Sequence, residues 1–310
     1  MTVQKKSPRF IALIESLTTS LLWASSFVLV KLALKEIGPL TTAGLRYFIA
    51  FLILAPFLFK QGEAFRNLKP RVWYLLLLIG ISAYTIGNGA FFWGLKYLSP
   101  TTTSLILSMN PILILLAGIW WLKEIPTRTQ IIGFVICLTG TIVFFLNGLK
   151  AGEPTGLIIT IIGLFGFAVF GILSRAFARD KQINTLILTA IPLGFGGGVL
   201  LILAIAFEGI PHLSWQTGGI LLWLALANTA VAYMLYNHSL QILTALEMNV
   251  MLNLSPLGTA LLAWILLGER LSLIKFIGMV VVIAGVILVQ QRKKSQVEIG
   301  IVEPISELEQ

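Results

Sequence analysis

The chain has 310 residues, 57% of them hydrophobic and only 11% charged, with a mean hydropathy of +0.93. A soluble domain carries about 25% charged residues, so a water-soluble fold is excluded and an integral membrane protein is indicated. The net charge of +9 does not mark a nucleic-acid binder, because the bases are spread over short loops between apolar runs.

Spanning a bilayer takes about 20 apolar residues per helix. Segments near 10–33, 41–60, 71–93, 98–121, 129–148, 155–176, 184–207, 215–238, 245–267 and 273–290 meet that length and predict ten transmembrane helices. The first is too long for a signal-peptide core and no small-residue cleavage site follows it, which favours a retained helix. Connections are short and rich in Gly, Pro or charge: Gly38-Pro39, KEIPTR at 123–128 and GEPTG at 152–156. The polar, acidic stretch at 291–310 reads as a disordered tail, residues 1–9 as a short segment before the first helix, and 149–154 as a linker between units at 10–148 and 155–290.

Lys and Arg orient the helices. With the N-terminus in the cytoplasm, Lys5, Lys6, Arg9, Lys60, Arg66, Lys69, Arg71, Lys123, Arg128, Arg175, Arg179, Lys181, Arg292, Lys293 and Lys294 are inside. Lys31, Lys35, Lys96, Lys150, Arg270 and Lys275 are outside, and Arg46 lies within the second helix. The excess on one side places both termini in the cytoplasm.

Residues 88–143 and 233–288 are two versions of one sequence 145 positions apart. Pro111 falls on Pro256, Glu124 on Glu269, Gly133 on Gly278 and Gly140 on Gly285. KLALKE at 31–36 matches RAFARD at 175–180 at an offset of 144, with Trp23 opposite Phe167. Five helices per half is an odd number, so the second copy crosses the membrane in the opposite sense. The expected fold is therefore all-α, ten transmembrane helices as two inverted five-helix repeats, an arrangement that lets one site face either side.

LLWASSFVLVKLAL at 21–34, TTAGLRYFIA at 41–50, NPILILLAGIWWLKE at 110–124, SPLGTALLAWILLGERL from Ser255 and IGMVVVIAGVIL at 277–288 resemble the drug/metabolite transporter superfamily, specifically its EamA type. The resemblance covers residues 10–290 and rests on the ten-helix layout, the duplication and these segments together. One departure is WLKEIP at 121–126, where the family more often has a glycine before the glutamate. The resemblance implies a secondary carrier in a bacterial cytoplasmic membrane, often one that exports amino acids or other metabolites, without identifying the solute.

Candidate site residues follow from spacing. Pro111 and Pro256 stand near mid-membrane in helices 4 and 9, where proline removes an amide donor and frees a carbonyl, here of Leu107 and Leu252; a static kink is the alternative. Ser104, Ser108 and Pro111 share one face, and Asn249, Asn253 and Pro256 repeat that spacing. Tyr84/Asn88 and Tyr233/Asn237 are i,i+4 pairs in helices 3 and 8. These faces are expected around one central cavity, with Ser104 and Ser108 facing Asn249 and Asn253; interhelical hydrogen bonding is the competing reading. Trp23 with Ser26, and Phe167 with Phe170, suit the walls of a site for an amphipathic solute, although packing explains such rings equally. Glu15 and Glu247, near a boundary where water can solvate them, are candidates for proton coupling or for attracting a substrate ammonium. Arg46 has snorkelling toward outer water as its alternative.

No Lys or Arg occurs between Lys181 and Arg270, so helices 7 to 9 offer no clamp for phosphate. This favours a neutral, zwitterionic or cationic solute over a phosphorylated-metabolite or nucleotide-sugar exchanger. There is no HExxH, GxSxG or P-loop, so the chain is not expected to be an enzyme. Glycines of GFGGG at 194–198 read as close helix packing. Single Cys137 reads as a small packing residue, and His212 and His238 lie at different depths, so no cofactor or metal site is expected. The partners expected are a small-molecule substrate and the lipid bilayer, with no nucleic acid; a homo-oligomer is compatible with the sequence. The function expected is a secondary active or facilitative carrier exporting a small neutral or zwitterionic metabolite such as an amino acid. A non-transporting membrane scaffold or sensor is the alternative from another class.

Overall fold

The computed structural model describes residues 7–62, 67–94, 97–98, 100–146, 153–180, 183–267 and 271–291. The expected tail, most of the expected linker and the loop cations Arg66, Lys96, Lys150, Lys181 and Arg270 lie outside the described residues, as do Lys5, Lys6 and the cations beyond Gln291. The architecture is helical throughout the described residues, in ten crossing elements. α1 is Pro8–Ala33 and α2 is Pro39–Phe59. α3, Pro70–Gly94, is α-helical at both ends with a π-helical stretch at Ile81–Asn88. α4 is two pieces, Pro100–Ser108 and Asn110–Trp120. α5 is Arg128–Phe145, α6 Pro154–Asp180 and α7 Thr185–Glu208. α8, Trp215–Ser239, has its own π-helical stretch at Leu226–Val231. α9 is Ala245–Leu252 plus Leu254–Leu267, and α10 is Leu273–Gln290.

Local chemistry sets the helix ends. Pro8, Pro39, Pro70 and Pro154 occupy first-turn positions, where a missing N–H costs nothing. Thr127 and Thr244 form capping boxes with Gln130 and Glu247 at the starts of α5 and α9. Nine helices among the described residues are long and apolar enough to cross a membrane unaided. α9 is absent from that set only because it is broken at Asn253, three residues before Pro256. α4 breaks at Met109, two residues before Pro111, and the positions 109 and 253 are 144 apart. Both mid-membrane prolines thus stand just beyond a break, on the carboxyl-terminal piece of their helix.

The glycines show the inversion directly. On α5 and α10, a Cβ on Gly133 would lie 2.8 Å from the Gly285 carbonyl oxygen, and one on Gly140 would lie 3.0 Å from that of Gly278. Gly133 corresponds to Gly278 and Gly140 to Gly285, so each contact is the other's image under a two-fold axis. Such an isologous, antiparallel crossing is what inverted copies produce. α2 and α7 pack as a similar pair: a Cβ on Gly44 would meet the Leu201 backbone at 2.7 Å, and one on Gly197 would sit 2.7 Å from the Tyr47 Cβ. Gly196 of the GFGGG run abuts the Gly80 carbonyl in α3, which accounts for that glycine cluster as close backbone approach. By contrast, nothing lies within 4 Å of a Cβ placed on Gly219. Gly219→Ala is expected to stabilise the protein by about 0.5 kcal/mol or leave it unchanged, and Gly196→Ala to destabilise it, as measured by thermal unfolding in detergent.

Candidate functional site

An aromatic cluster occupies the interior where the two halves meet. Trp23 of α1 lies 5.1 Å from Tyr233 and 5.9 Å from Tyr236 of α8, ring centre to ring centre. Phe170 of α6 stacks on Tyr236 at 5.3 Å, and Tyr84 of α3 meets Tyr233 at 5.2 Å and Tyr47 of α2 at 4.8 Å. Tyr84 and Tyr236 are each 1% exposed, so these phenols lie deep in the bundle. Asn88 reaches Tyr233 and Asn249 reaches Tyr236. Asn249 also accepts from Asn110 Nδ2 at 2.9 Å, joining the broken helices α4 and α9 beside the rings. Helix packing explains why this spot is open to polar atoms: Gly171 of α6 sits where a Cβ would be 3.5 Å from Asn249 Nδ2 and 3.7 Å from the Tyr236 hydroxyl.

Of the residues singled out from sequence, Trp23, Tyr84, Phe170 and Tyr233 fall in this cluster, with Asn88 and Asn249 at its edge. The others lie elsewhere. Asn237 donates to Thr189 of α7 at 3.0 Å, a helix-to-helix bond. Phe167 packs over Gly87 of α3. Asn253 donates to the Ser108 carbonyl at 3.3 Å and toward Cys137 Sγ at 3.7 Å, on the side facing α5. Asn253 and Ser108 therefore do meet, but through the Ser108 backbone oxygen that the α4 break releases. Ser104 is half-buried. Single-cavity geometry for all four faces does not hold: the breaks at Met109 and Asn253 and the π-helical turns rotate the side chains beyond them, so i,i+4 spacing no longer defines one face. In particular, Asn88 Nδ2 donates to the Ala83 carbonyl five residues back, the π-helical spacing. Tyr47, Tyr236 and Asn110 were missed. Tyr236 had a visible signal in its i,i+3 relation to Tyr233, whereas Tyr47 and Asn110 become neighbours of the site only through tertiary packing.

Two expectations for charged residues are corrected. Glu247 is not solvated: it has no exposed surface and is paired with Arg9 at 2.9 Å, with Gln130 Nε2 donating at 3.1 Å and the Thr244 N–H at 2.9 Å. It thus belongs to a capping box and a buried ion pair at once. Arg46 does not snorkel: it is 7% exposed and turns inward, its Nε donating to Thr229 Oγ1 at 2.6 Å, Nη1 to Ser26 Oγ at 3.1 Å and Nη2 to the Asn228 carbonyl at 2.8 Å. Trp23 Nε1 donates to that same carbonyl at 3.2 Å, so Arg46 stands at the rim of the aromatic cluster. Ser26 is its hydrogen-bond acceptor.

Polar ties join the two halves at both membrane faces. On the face that carries the chain termini, Arg9 pairs with Glu247, Glu124 with Arg175 at 2.6 Å, and Glu15 with His238 at 2.8 Å. Each of these pairs has one member in each half. Glu124 Oε2 also accepts from the Ala245 N–H at the start of α9, and Arg179 donates to the Leu122 carbonyl. On the opposite face, Glu208 accepts from the Leu40 and Thr41 N–H groups. Glu36 there accepts from Ser214 Oγ at 2.7 Å and from the Thr217 hydroxyl, beside a cavity of about 230 Å³ lined by Leu32, Lys35 and Ile220. Hydrogen bonds from Thr217 and Ser214 hold the Glu36 carboxyl below its ordinary value. A carboxyl depressed in this way holds its tether fully above the unfolded value of about 4.3 and loses it as pH falls through the lower folded value. The 5-fluorotryptophan resonance of neighbouring Trp215 should thus be constant from pH 7 to pH 5 and shift under more acidic conditions. Glu36→Gln should abolish that shift.

An inverted pair of five-helix bundles, crossing the membrane ten times and meeting at a buried polar-aromatic cluster, is the architecture of a multi-pass membrane transporter. The chain belongs to the EamA-like transporter family, whose model matches residues 10–146 and again residues 154–290. Similar proteins include an uncharacterized transporter of Archaeoglobus fulgidus, 27% identical over 87% of this chain and 94% of its own length. The uncharacterized transporter YyaM of Bacillus subtilis is 26% identical over 86% of this chain and 90% of its own. The uncharacterized inner membrane transporter YhbE of Escherichia coli is 27% identical over 89% of both. A crystal structure of a protein with 19% identity matches with a TM-score of 0.77 over 90% of this chain and 97% of its own, which shows a shared fold.

Proposed function

We propose that the chain is a secondary carrier that exports a small neutral or zwitterionic metabolite, an amino acid being the type, by alternating access across a bacterial cytoplasmic membrane with both termini inside. The observation that carries this reading is the ring cluster of Trp23, Tyr84, Phe170, Tyr233 and Tyr236 at the junction of the inverted halves, edged by Asn88 and Asn249. Aromatic walls with a few placed amide groups suit an amphipathic solute. Helices α4 and α9, broken at positions 144 residues apart, supply the flexing elements beside the cluster, and the ion pairs between halves at the terminal face are contacts that inward opening has to separate. Glu15, which touches His238, and Glu247 are the carboxylates proposed for proton coupling.

The test is a metabolite panel in proteoliposomes, run with and without a pH gradient. Saturable flux of at least one amino acid is expected. Flux that ignores the gradient would remove the coupling role of Glu15 and Glu247, and no saturable flux for any solute would overturn the carrier reading in favour of a scaffold or sensor.

A further inference from the structure

Arg46 is a guanidinium inside a membrane helix with no carboxylate beside it. It is the eighth residue of α2, which at 1.5 Å rise places it about 10 Å from the helix start. Its bonds run to Ser26, Thr229 and the Asn228 carbonyl, and its charge also lies 5.5 Å from the centre of the Tyr47 ring. All these partners are neutral. A cation held in a span without a counter-ion is costly and marks a functional position. Three of its five N–H groups are engaged, which leaves one hydrogen on each Nη without an acceptor among the described residues. Those two hydrogens are the fork that matches a carboxylate.

The second half provides an internal control for a merely structural role. Arg46 bonds the π-helical stretch Leu226–Val231 of α8. The corresponding stretch in α3 is Ile81–Asn88, beginning 145 residues earlier. There the neighbouring helix is α7, and the residues matching Arg46 at offsets of 144 and 145 are Ala190 and Ile191. The α3 stretch is held by neutral bonds instead: the Thr85 hydroxyl donates to the Gly196 carbonyl at 3.0 Å, and Asn88 bonds within its own helix. The same backbone irregularity therefore forms without a cation. A charge present in one half only is a feature of the site, not of the repeat.

We propose that Arg46 is a carboxylate-receiving subsite, so that the transported solute carries a carboxylate which binds the guanidinium fork while its apolar part lies on the Trp23, Tyr84 and Tyr233 rings. This rests on the carrier reading and narrows it: of the neutral, zwitterionic and cationic solutes, those with a carboxylate are selected. The missing cations of α7 to α9 do not argue against it, because the charge reaches α8 from α2.

The experiment uses the full chain in lipid nanodiscs, titrated calorimetrically with L-phenylalanine, L-leucine, L-threonine and 3-phenylpropionate as carboxylates, and with phenethylamine and L-phenylalanine methyl ester as carboxylate-free analogues. At least one carboxylate is expected to bind the wild type and to weaken roughly ten- to hundred-fold in Arg46→Gln, the loss of a charged, forked hydrogen bond. Arg46→Lys, which keeps the charge without the fork, is expected to be intermediate, and it guards against a glutamine variant that fails to fold. The carboxylate-free analogues should bind all folded variants alike. Carboxylate binding that is unchanged in both variants overturns the subsite, as does the absence of carboxylate binding to the wild type. Arg46-dependent binding with no flux in proteoliposomes would keep the subsite and sink the carrier reading, whereas flux indifferent to Arg46 would do the reverse.

Discussion

Glu247→Ala is expected to lower the unfolding free energy by about 3 kcal/mol, followed as loss of helical signal against denaturant in detergent micelles. The carboxylate is wholly buried and takes bonds from Arg9, Gln130 and the Thr244 N–H, while Gln290 donates to its backbone carbonyl at 3.0 Å. Deleting it strands those donors and ends the pairing that ties α1 to α9. Removing one member of a buried ion pair costs about 3–5 kcal/mol, and the 25% exposure of the Arg9 side chain puts the effect at the lower end, since water screens what remains. Glu247→Gln keeps an oxygen for the cap but loses the charge, so it should fall between alanine and wild type. A stability of Glu247→Ala within about 0.5 kcal/mol of wild type, the scatter of ordinary surface changes, would show that this buried cluster is not what holds the terminal face together.

Gly285→Leu is expected to be more damaging still, abolishing the monodisperse folded protein in size-exclusion chromatography. A Cβ there would lie 2.7 Å from both the Cys137 Cα and the Gly133 carbonyl oxygen. Both obstacles are backbone or fixed to it, so no rotamer can yield and α10 has to move off α5. Overpacking against movable side chains costs about 1–3 kcal/mol; here the whole helix pair has to separate, which puts the effect above that range. Symmetry extends the expectation: Gly140→Leu should fail similarly, because a Cβ at Gly140 would sit 2.6 Å from the Val282 N. If Gly285→Leu folds and Gly140→Leu does not, the two contacts are not images of one another and the paired crossing is wrong.

Much of this architecture is legible in the sequence because its determinants are local. First-turn prolines at Pro8, Pro39, Pro70 and Pro154, the Thr127 and Thr244 caps, and apolar runs of membrane length fix where the helices lie. The odd number of helices per repeat fixes their sense. The site is less legible. A side chain's direction is computed from 3.6 residues per turn, and that count fails at four places within it: the π-helical stretches of α3 and α8 and the breaks at Met109 and Asn253. Asn237 therefore bonds α7 rather than joining Tyr233, and Asn110 rather than Ser104 reaches Asn249. The burial of Arg46 was hidden for a different reason. Its partners Ser26, Asn228 and Thr229 lie up to 183 positions away, and no pattern along one helix records them.

The paired π-helical stretches have a consequence for how this molecule tolerates change in length. A π-turn holds one residue more than an α-turn spanning the same path, so each of α3 and α8 stores a spare residue inside the bilayer. Deleting one residue from 226–231 could be absorbed by relaxing to an ordinary α-helix, keeping the helix nearly as long. Everything beyond would then turn by about 100° about the axis, taking Tyr233 and Tyr236 off the cluster and onto a neighbouring face. The helix would survive the loss and the site would not, so single-residue deletions in these two stretches separate the length of the span from the aim of its side chains.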